Sequence, residues 1–525
     1  MRMTRFFGGM NWLAVGLIAV LALPAGADEG FKPIFNGENL DGWIGQEGYW
    51  RVEDGAIVGE MTEDNPLEKN TFLIWDEGEA DDFELRFSYI IDSEEANSGV
   101  QVRSVHEGDY VVAGPQPDIA TVDWITGIHY EERGRGIMAR RGERTTIDEN
   151  GEKTTERFAD EGTLAGSIHA GVWNDYKVIA RGPSIQTYIN DTLMNEVIDH
   201  SPEARRSGVI AFQLHTGPPM KVRFKDIELK RLPLEDKTKV VFVAGPQSHG
   251  YGAHEHRAGC MLLARLLEEN TDTILTTVYT NGWPSDPTAF DNADAIVMYS
   301  DGGAGHMAVG NLDSLREAAE RGVGIGAIHY AVEVEAGEMG DAWLEFMGGF
   351  FETHWSVNPW WTAKFDTYPE HDVTRGVRGF ELRDEWYYHM RFTEHEGVTP
   401  IFSALPPPET LERADGPHSG NPHVREAVLE REEEQHLLWV YDRATLPGRG
   451  FGFTGGHEHW NWAHPDFRKA ILNCIVWIAG EEVPEGGIET PVVTFEELQA
   501  NQDYEMPERF NADRWRELIE QWQAE

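Results

Sequence analysis

The chain's 525 residues are too many for one core and imply two or three domains. A formal charge of −47 repels phosphate backbones and anionic lipid, which argues against nucleic acid and membrane surfaces as partners. Two cysteines, Cys260 and Cys474, are too few for a disulfide scaffold or a thiolate zinc site. Both lie in apolar helical patterns, so buried thiols are expected, with a single disulfide as the alternative.

The first residues read as an export signal. Arg2 and Arg5 precede the apolar run Trp12 to Leu23, and Ala25-Gly26-Ala27 gives the small-x-small pattern before Asp28. The run is short for a membrane span. Cleavage over residues 1–27 predicts a periplasmic or secreted protein with no remaining membrane attachment.

Residues 28–232 carry the signals of strands. Phe83 to Tyr89, Val100 to Arg103, Tyr176 to Arg181 and Val222 to Leu229 alternate apolar and polar residues. Asn36-Gly37, Asp41-Gly42, Asp54-Gly55 and Ser207-Gly208 punctuate them as turns. Short alternating strands with such turns predict an all-β jelly-roll or sandwich.

A charged linker at 233–239 follows, and then the pattern changes. Val240 to Gly245, Ala295 to Tyr299 and Val323 to Ile328 are unbroken apolar runs, the mark of strands buried on both faces. Helical patterns at His254 to Glu269, Leu312 to Glu320 and Pro465 to Ala479 alternate with them. Residues 240–487 therefore read as a doubly wound, flavodoxin-like α/β domain. Residues 488–525 read as a helical tail packed on the body.

Fifteen of the twenty histidines follow the linker, many just after predicted strands. His249, His254 and His256 follow the first strand. His329 follows Ile328. Glu385, Tyr387 and His389 lie in one segment, and His457 and His459 follow Gly455-Gly456. Ligand sites in such sheets lie at the carboxyl ends of strands. This cluster suits either a divalent metal or a metal-free acid/base pocket. No nucleotide cofactor is expected. Position 329 holds neither Cys nor Ser, which excludes a thioester route there.

Catalysis is assigned to His329, Glu385, His457, Glu131 and His215. Substrate contact is assigned to Gln101, Arg103, Gln116, Tyr130, Gln213, Tyr387 and Trp460, and metal ligation to His249, His254, His256 and His459. Gln101 and Arg103 are expected on one sheet face, as are Gln213 and His215. Asp118 and Glu132 are further polar candidates. Glu131 and Glu132, as strand neighbours, must point to opposite faces.

Several stretches carry a family likeness. Phe31 to Gly37 with Leu40-Asp41-Gly42-Trp43, Asn97-Ser98-Gly99-Val100 with Arg103, and Ile210 to His215 resemble the 3-keto-disaccharide hydrolase domain, a concanavalin-like sandwich. The family's polar segment departs here at Gly108 to Gln116. Ser248-His249-Gly250, Gly326-x-x-His329, Asp384-Glu385-x-Tyr387 and Gly455-Gly456-His457 resemble the trehalose-utilisation (ThuA-like) family, related to the class I glutamine amidotransferase fold. Both likenesses imply a small carbohydrate substrate.

They further imply cleavage of 3-keto-glycosides. A C3 ketone acidifies the C2 hydrogen, a base removes it, the C1 substituent leaves, and water adds back. Hydrolysis by a carboxylate pair is the rival route. The other function class is a non-catalytic carbohydrate-binding protein with a pseudo-enzyme second domain, which Trp360-Trp361 and Trp460-Asn461-Trp462 would suit. The oligomeric state stays open.

Overall fold

The computed structural model describes residues 30–524. The export signal expected at 1–27 lies outside the described residues. No helix among them is long and apolar enough to cross a membrane.

The first part is a sandwich of a ten-stranded and a seven-stranded sheet. Its core is aromatic: Phe212 stacks on Phe224 at 4.1 Å and on Trp43 at 5.6 Å, and Phe87 stacks on Tyr176 at 5.1 Å. The long strand Asn97–Gly108 pairs with Val111–Ala120 and with Val209–Leu214 in the seven-stranded sheet.

One irregularity in that strand re-aims a side chain. Val209 faces Ser104, but Ala211 faces Gln101, so the long strand carries one extra residue. Arg103 sits at this bulge with φ 47. Its guanidinium therefore leaves the face of Gln101 and turns to the sheet edge. There it bonds the Asp81 and Gly182 carbonyls and pairs with Asp82 at 2.6 Å. The expectation that Gln101 and Arg103 share one face is overturned by the bulge.

The second part is a seven-stranded sheet in the order Ile274–Tyr279, Thr238–Ala244, Ala295–Tyr299, Gly324–Ile328, Arg449–Phe453, Gln435–Asp442, Val398–Ala404. The first five strands run parallel, Gln435–Asp442 runs antiparallel to them, and Val398–Ala404 pairs antiparallel with Gln435–Asp442. Helices His256–Asn270, Leu312–Glu320, Glu338–Met347 and Pro465–Ile478 cover the sheet. Cys260 and Cys474 are both free and buried. The tail helices Phe495–Gln499 and Ala512–Ala524 dock through Phe495, Ile519 and Trp522.

The connection between the parts is shorter than 233–239, because Thr238 and Lys239 already belong to the first parallel strand. Lys239 is buried and pairs with Asp81 of the sandwich at 2.5 Å. Arg231 reaches the other way, to Asp286 at 2.8 Å and Thr288 at 2.9 Å. Burial opposes ionisation of Asp81, but Lys239 and Arg231 more than offset it and hold the carboxyl below its usual range. Removing one member of such a network would strand a buried charge, at about 3–5 kcal/mol. This junction lies at the amino end of Thr238–Ala244. The histidine-bearing loops follow the carboxyl ends of the same parallel strands.

Candidate active site and metal centre

Four loops converge at that carboxyl end. His254 precedes the first helix, His329 follows Gly324–Ile328, Glu385 ends Phe380–Glu385, and His457 follows Arg449–Phe453. Asp384 locks two of these loops together. Its carboxylate accepts from the backbone N–H of Glu385, Gly456 and Glu458, and from Asn461. The backbone N–H of His254 donates to the His457 carbonyl at 3.1 Å. His249, His254 and His329 have φ of 54, 52 and 57, left-handed values that their surroundings must enforce.

The outer nitrogens fix the tautomers. His254 Nδ1 donates to Asp301 Oδ1 at 2.8 Å, and His329 Nδ1 donates to the Thr454 carbonyl at 2.8 Å. Each Nε2 then carries a lone pair, and the two Nε2 atoms lie 3.1 Å apart. His457 Nδ1 is 3.0 Å from His254 Nε2 and 2.8 Å from Glu385 Oε2. Tyr387 Oη lies 3.2 Å from His329 Nε2. Among the described residues, acceptors crowd one point with the Tyr387 hydroxyl and His457 as donors; burial opposes protonation of His457, but its hydrogen bond to Glu385 more than offsets this and raises its pKa.

Burial pushes the His254 pKa down to about 3, against the Asp301 hydrogen bond, and holds His329 well below its ordinary value. Both rings are thus neutral and competent as ligands near neutral pH. His254, His329, Glu385 and His457 place their ligand atoms within 4.8 Å of one another. A tetrahedral zinc ion with bonds of about 2.1 Å separates its ligand atoms by roughly 3.4 Å. The observed separations of 2.8, 3.0, 3.1 and 3.7 Å bracket that value. The donor set therefore fits a divalent cation. Asp301 is the carboxylate behind His254, the usual partner of a ligating imidazole. Burial opposes its ionisation, yet hydrogen bonds from His254 and Ser248 hold it down to about 2.

The other expected metal ligands fall outside this set. His249 stacks on His254 at 3.6 Å and lies 3.7 Å from Asp301 Oδ1, forming with those two a second cluster. His256 points Nε2 toward Asp301 at 3.6 Å from the first position of its helix, with Nδ1 near the Pro246 carbonyl. His459 turns away: it is fully buried and its Nε2 bonds the Leu498 carbonyl. Its partner in the His-x-His pattern points inward, because the 3-10 turn His459–Ala463 starts between them. Trp460 is likewise no sugar platform. It is 1% exposed and stacks on Phe495 at 4.8 Å, holding the tail. The exposed indole at the centre is Trp360, 36% accessible and edge-on to His457 at 4.6 Å. The alternation of the strand Trp360–Phe365 was the signal for it.

A second polar cluster lies in the sandwich. Ser104 Oγ donates to Gln101 Oε1 at 2.6 Å, Gln101 Nε2 to Gln116 Oε1 at 2.6 Å, and Gln116 Nε2 to Asp118 Oδ1 at 2.7 Å. Gln116 also reaches Gln213, which reaches Glu132, each at 3.4 Å. Tyr130 stands directly opposite Gln116. The ladder ends in two carboxyls, Asp118 and Glu132. Burial pushes Asp118 up to about 8, against its Gln116 bond and aided by the charge of Glu132.

Glu131 does not join the ladder. It points to the opposite face, where Arg135 holds it through both carboxylate oxygens at 2.6 and 2.8 Å. His215 sits beyond the end of its strand and turns Nδ1 to the Thr216 carbonyl. Gln101, Gln116, Gln213 and Tyr130 thus meet on one face, and His329, Glu385, Tyr387, His457 and His254 meet in the other domain. Arg103, Glu131, His215, Trp460 and His459 join neither group.

Residues 30–230 match the family model for the 3-keto-alpha-glucoside-1,2-lyase-like domain, and residues 239–478 match that for trehalose utilisation. The chain carries these two domains in tandem, and both are carbohydrate-related. Among solved structures, a candidate glycosyl hydrolase from Parabacteroides distasonis is 18% identical, with 38% of this chain and 99% of that chain covered and a TM-score of 0.27. A candidate ThuA-like protein from Bacteroides uniformis is 15% identical, with 47% and 93% covered and a TM-score of 0.33. The carbohydrate binding module CBM66 from Bacillus subtilis is 12% identical, with 36% and 95% covered and a TM-score of 0.26. No curated protein matches the chain.

Proposed function

We propose that the protein is an exported enzyme that cleaves 3-keto-disaccharides or related 3-keto-glycosides by proton removal at C2, elimination at C1 and addition of water. The elimination belongs to the sandwich and the processing of the resulting keto-sugar to the α/β domain. The observation that carries a catalytic reading is the convergence of three imidazole nitrogens and a carboxylate on one point, with the outer nitrogens of His254 and His329 already committed. Three acceptors, His254 Nε2, His329 Nε2 and Glu385 Oε2, share two donors, the Tyr387 hydroxyl and His457 Nδ1, an imbalance that a bound cation would relieve.

On the sandwich face Asp118 is the base. Its raised pKa, to about 8, suits transfer of a proton from carbon near neutral pH. Gln116 holds it in place, and the half-buried Tyr130 and Glu132 line the same face for sugar hydroxyls. In the α/β domain His254, His329, Glu385 and His457 would hold a divalent ion. When bound, such an ion supplies Lewis acidity toward a carbonyl oxygen. Trp360 offers an apolar face for a sugar ring beside it. The N-terminal apolar run supports export.

The test is a purified chain, freed of metal and then supplied with zinc or manganese, given 3-keto-trehalose in D2O. The proposal expects release of glucose and deuterium at C2, both lost in Asp118→Asn. Unchanged disaccharide under every metal condition would refute it. Sugar binding by calorimetry without turnover would favour the binding-protein alternative.

A further inference from the structure

Beside the imidazole centre lies a second titratable pair. Glu333 ends the turn that His329 begins, and it is 2% exposed. Its Oε1 accepts from His418 Nε2 at 2.9 Å. His418 comes from a distant loop whose backbone is pinned: His354 N–H donates to the Pro417 carbonyl at 2.7 Å, and Asn358 N–H to the His418 carbonyl at 3.0 Å. The His418 ring stacks on Phe351 at 5.5 Å. Phe351 in turn packs on Tyr387 at 5.3 Å, and the Tyr387 hydroxyl reaches His329 Nε2 and Glu385. His418 is therefore joined to His329 of the centre through two rings, Phe351 and Tyr387. Because Nε2 donates its proton in the hydrogen bond to the carboxylate, Nδ1 of the neutral ring keeps its lone pair. The side chain is 34% exposed.

We propose that His418, oriented by Glu333, is the proton-transfer group of the α/β site, acting at C2 of a 3-keto-sugar. The inference rests on the reading of that site as a metal centre for keto-sugars. Elimination leaves an enone, with C1=C2 conjugated to the C3 carbonyl. A water oxygen forms a bond to C1 while His418 Nδ1 takes one water proton. The C1=C2 pair shifts to C2–C3, giving an enolate. The protonated His418 then returns its proton to C2 and the carbonyl re-forms. One water is added, and no oxidant or reductant is needed. A carboxylate-held imidazole is the ordinary device for such shuttling. Glu333 is the positioning residue: its hydrogen bond and charge raise the His418 pKa, burial opposes this, Glu385 adds to it, and Arg413 counters.

The proposal is tested with 3-keto-glucose in D2O, using the zinc-loaded full-length chain with Asp118→Asn as the background throughout, so that the sandwich base contributes no exchange. Exchange of the C2 hydrogen, read by NMR, should fall at least ~100-fold in His418→Asn, with zinc content unchanged. In Glu333→Gln the acid limb of the exchange profile should move to lower pH. The His418 ring signal of the metal-free chain should titrate at lower pH in that variant too, a readout independent of activity. Background exchange that persists in His418→Asn overturns the proposal, as does an unmoved His418 titration. A zinc-binding background chain without exchange overturns it and leaves the metal reading standing. A background chain that binds no zinc defeats the metal reading itself.

Discussion

The two polar clusters of this molecule are built on opposite principles. In the sandwich, donors and acceptors alternate along a ladder: Ser104, Gln101, Gln116 and Asp118 each satisfy the next. In the α/β domain, His254 and His329 spend their protons outward and aim lone pairs at each other across 3.1 Å. The first arrangement is closed except at its carboxyl ends. The second has more acceptors than donors and is where we propose that a cation binds. Balance of donors and acceptors, not burial, separates the two.

The sharpest way to break this comparison is to remove a ligand. Zinc at a four-ligand protein site gains roughly 10–16 kcal/mol, or about 2.5–4 kcal/mol per ligand. His457→Ala should therefore weaken zinc binding a few hundredfold by calorimetry. An unchanged Kd would mean the imidazoles are merely packed.

Asp118→Asn probes the ladder. The folded pKa of about 8 lies above the unfolded value of about 3.9, so the wild type loses stability as pH rises between them. The variant should be more stable than wild type by on the order of 5 kcal/mol at about pH 8 in urea unfolding, and nearly equal to it at about pH 4. Equal stability at both would remove the raised pKa from the account.

Asp301→Asn tests the group behind His254 and should cost about 10–100-fold in zinc affinity. Trp360→Ala has the smallest expected effect. Losing one aromatic face worth about 1 kcal/mol should raise the KM for a keto-sugar roughly fivefold, with kcat kept.

Much of the fold was legible because buried strands announce themselves. Val240 to Ala244 and Ala295 to Tyr299 are apolar without a break, and both are central strands. The centre was legible in part, since His329, Glu385, Tyr387 and His457 follow strand ends or lie on them. What failed was direction. Nothing local says that His457 faces in and His459 out; a 3-10 turn decides it. Glu131 and Glu132 were bound to oppose each other, but Arg135, on the far face, claims Glu131. Arg103 was re-aimed by one extra residue in its strand. The pair Glu333 and His418 is 85 residues apart in sequence, and only the folded loop joins it.

The account stands most directly on where a metal binds. Crystals of the zinc-loaded chain, measured across the zinc absorption edge, should show one anomalous peak about 2.1 Å from His254 Nε2, His329 Nε2 and His457 Nδ1. A folded chain in zinc-containing crystals with no peak among those three nitrogens would contradict it.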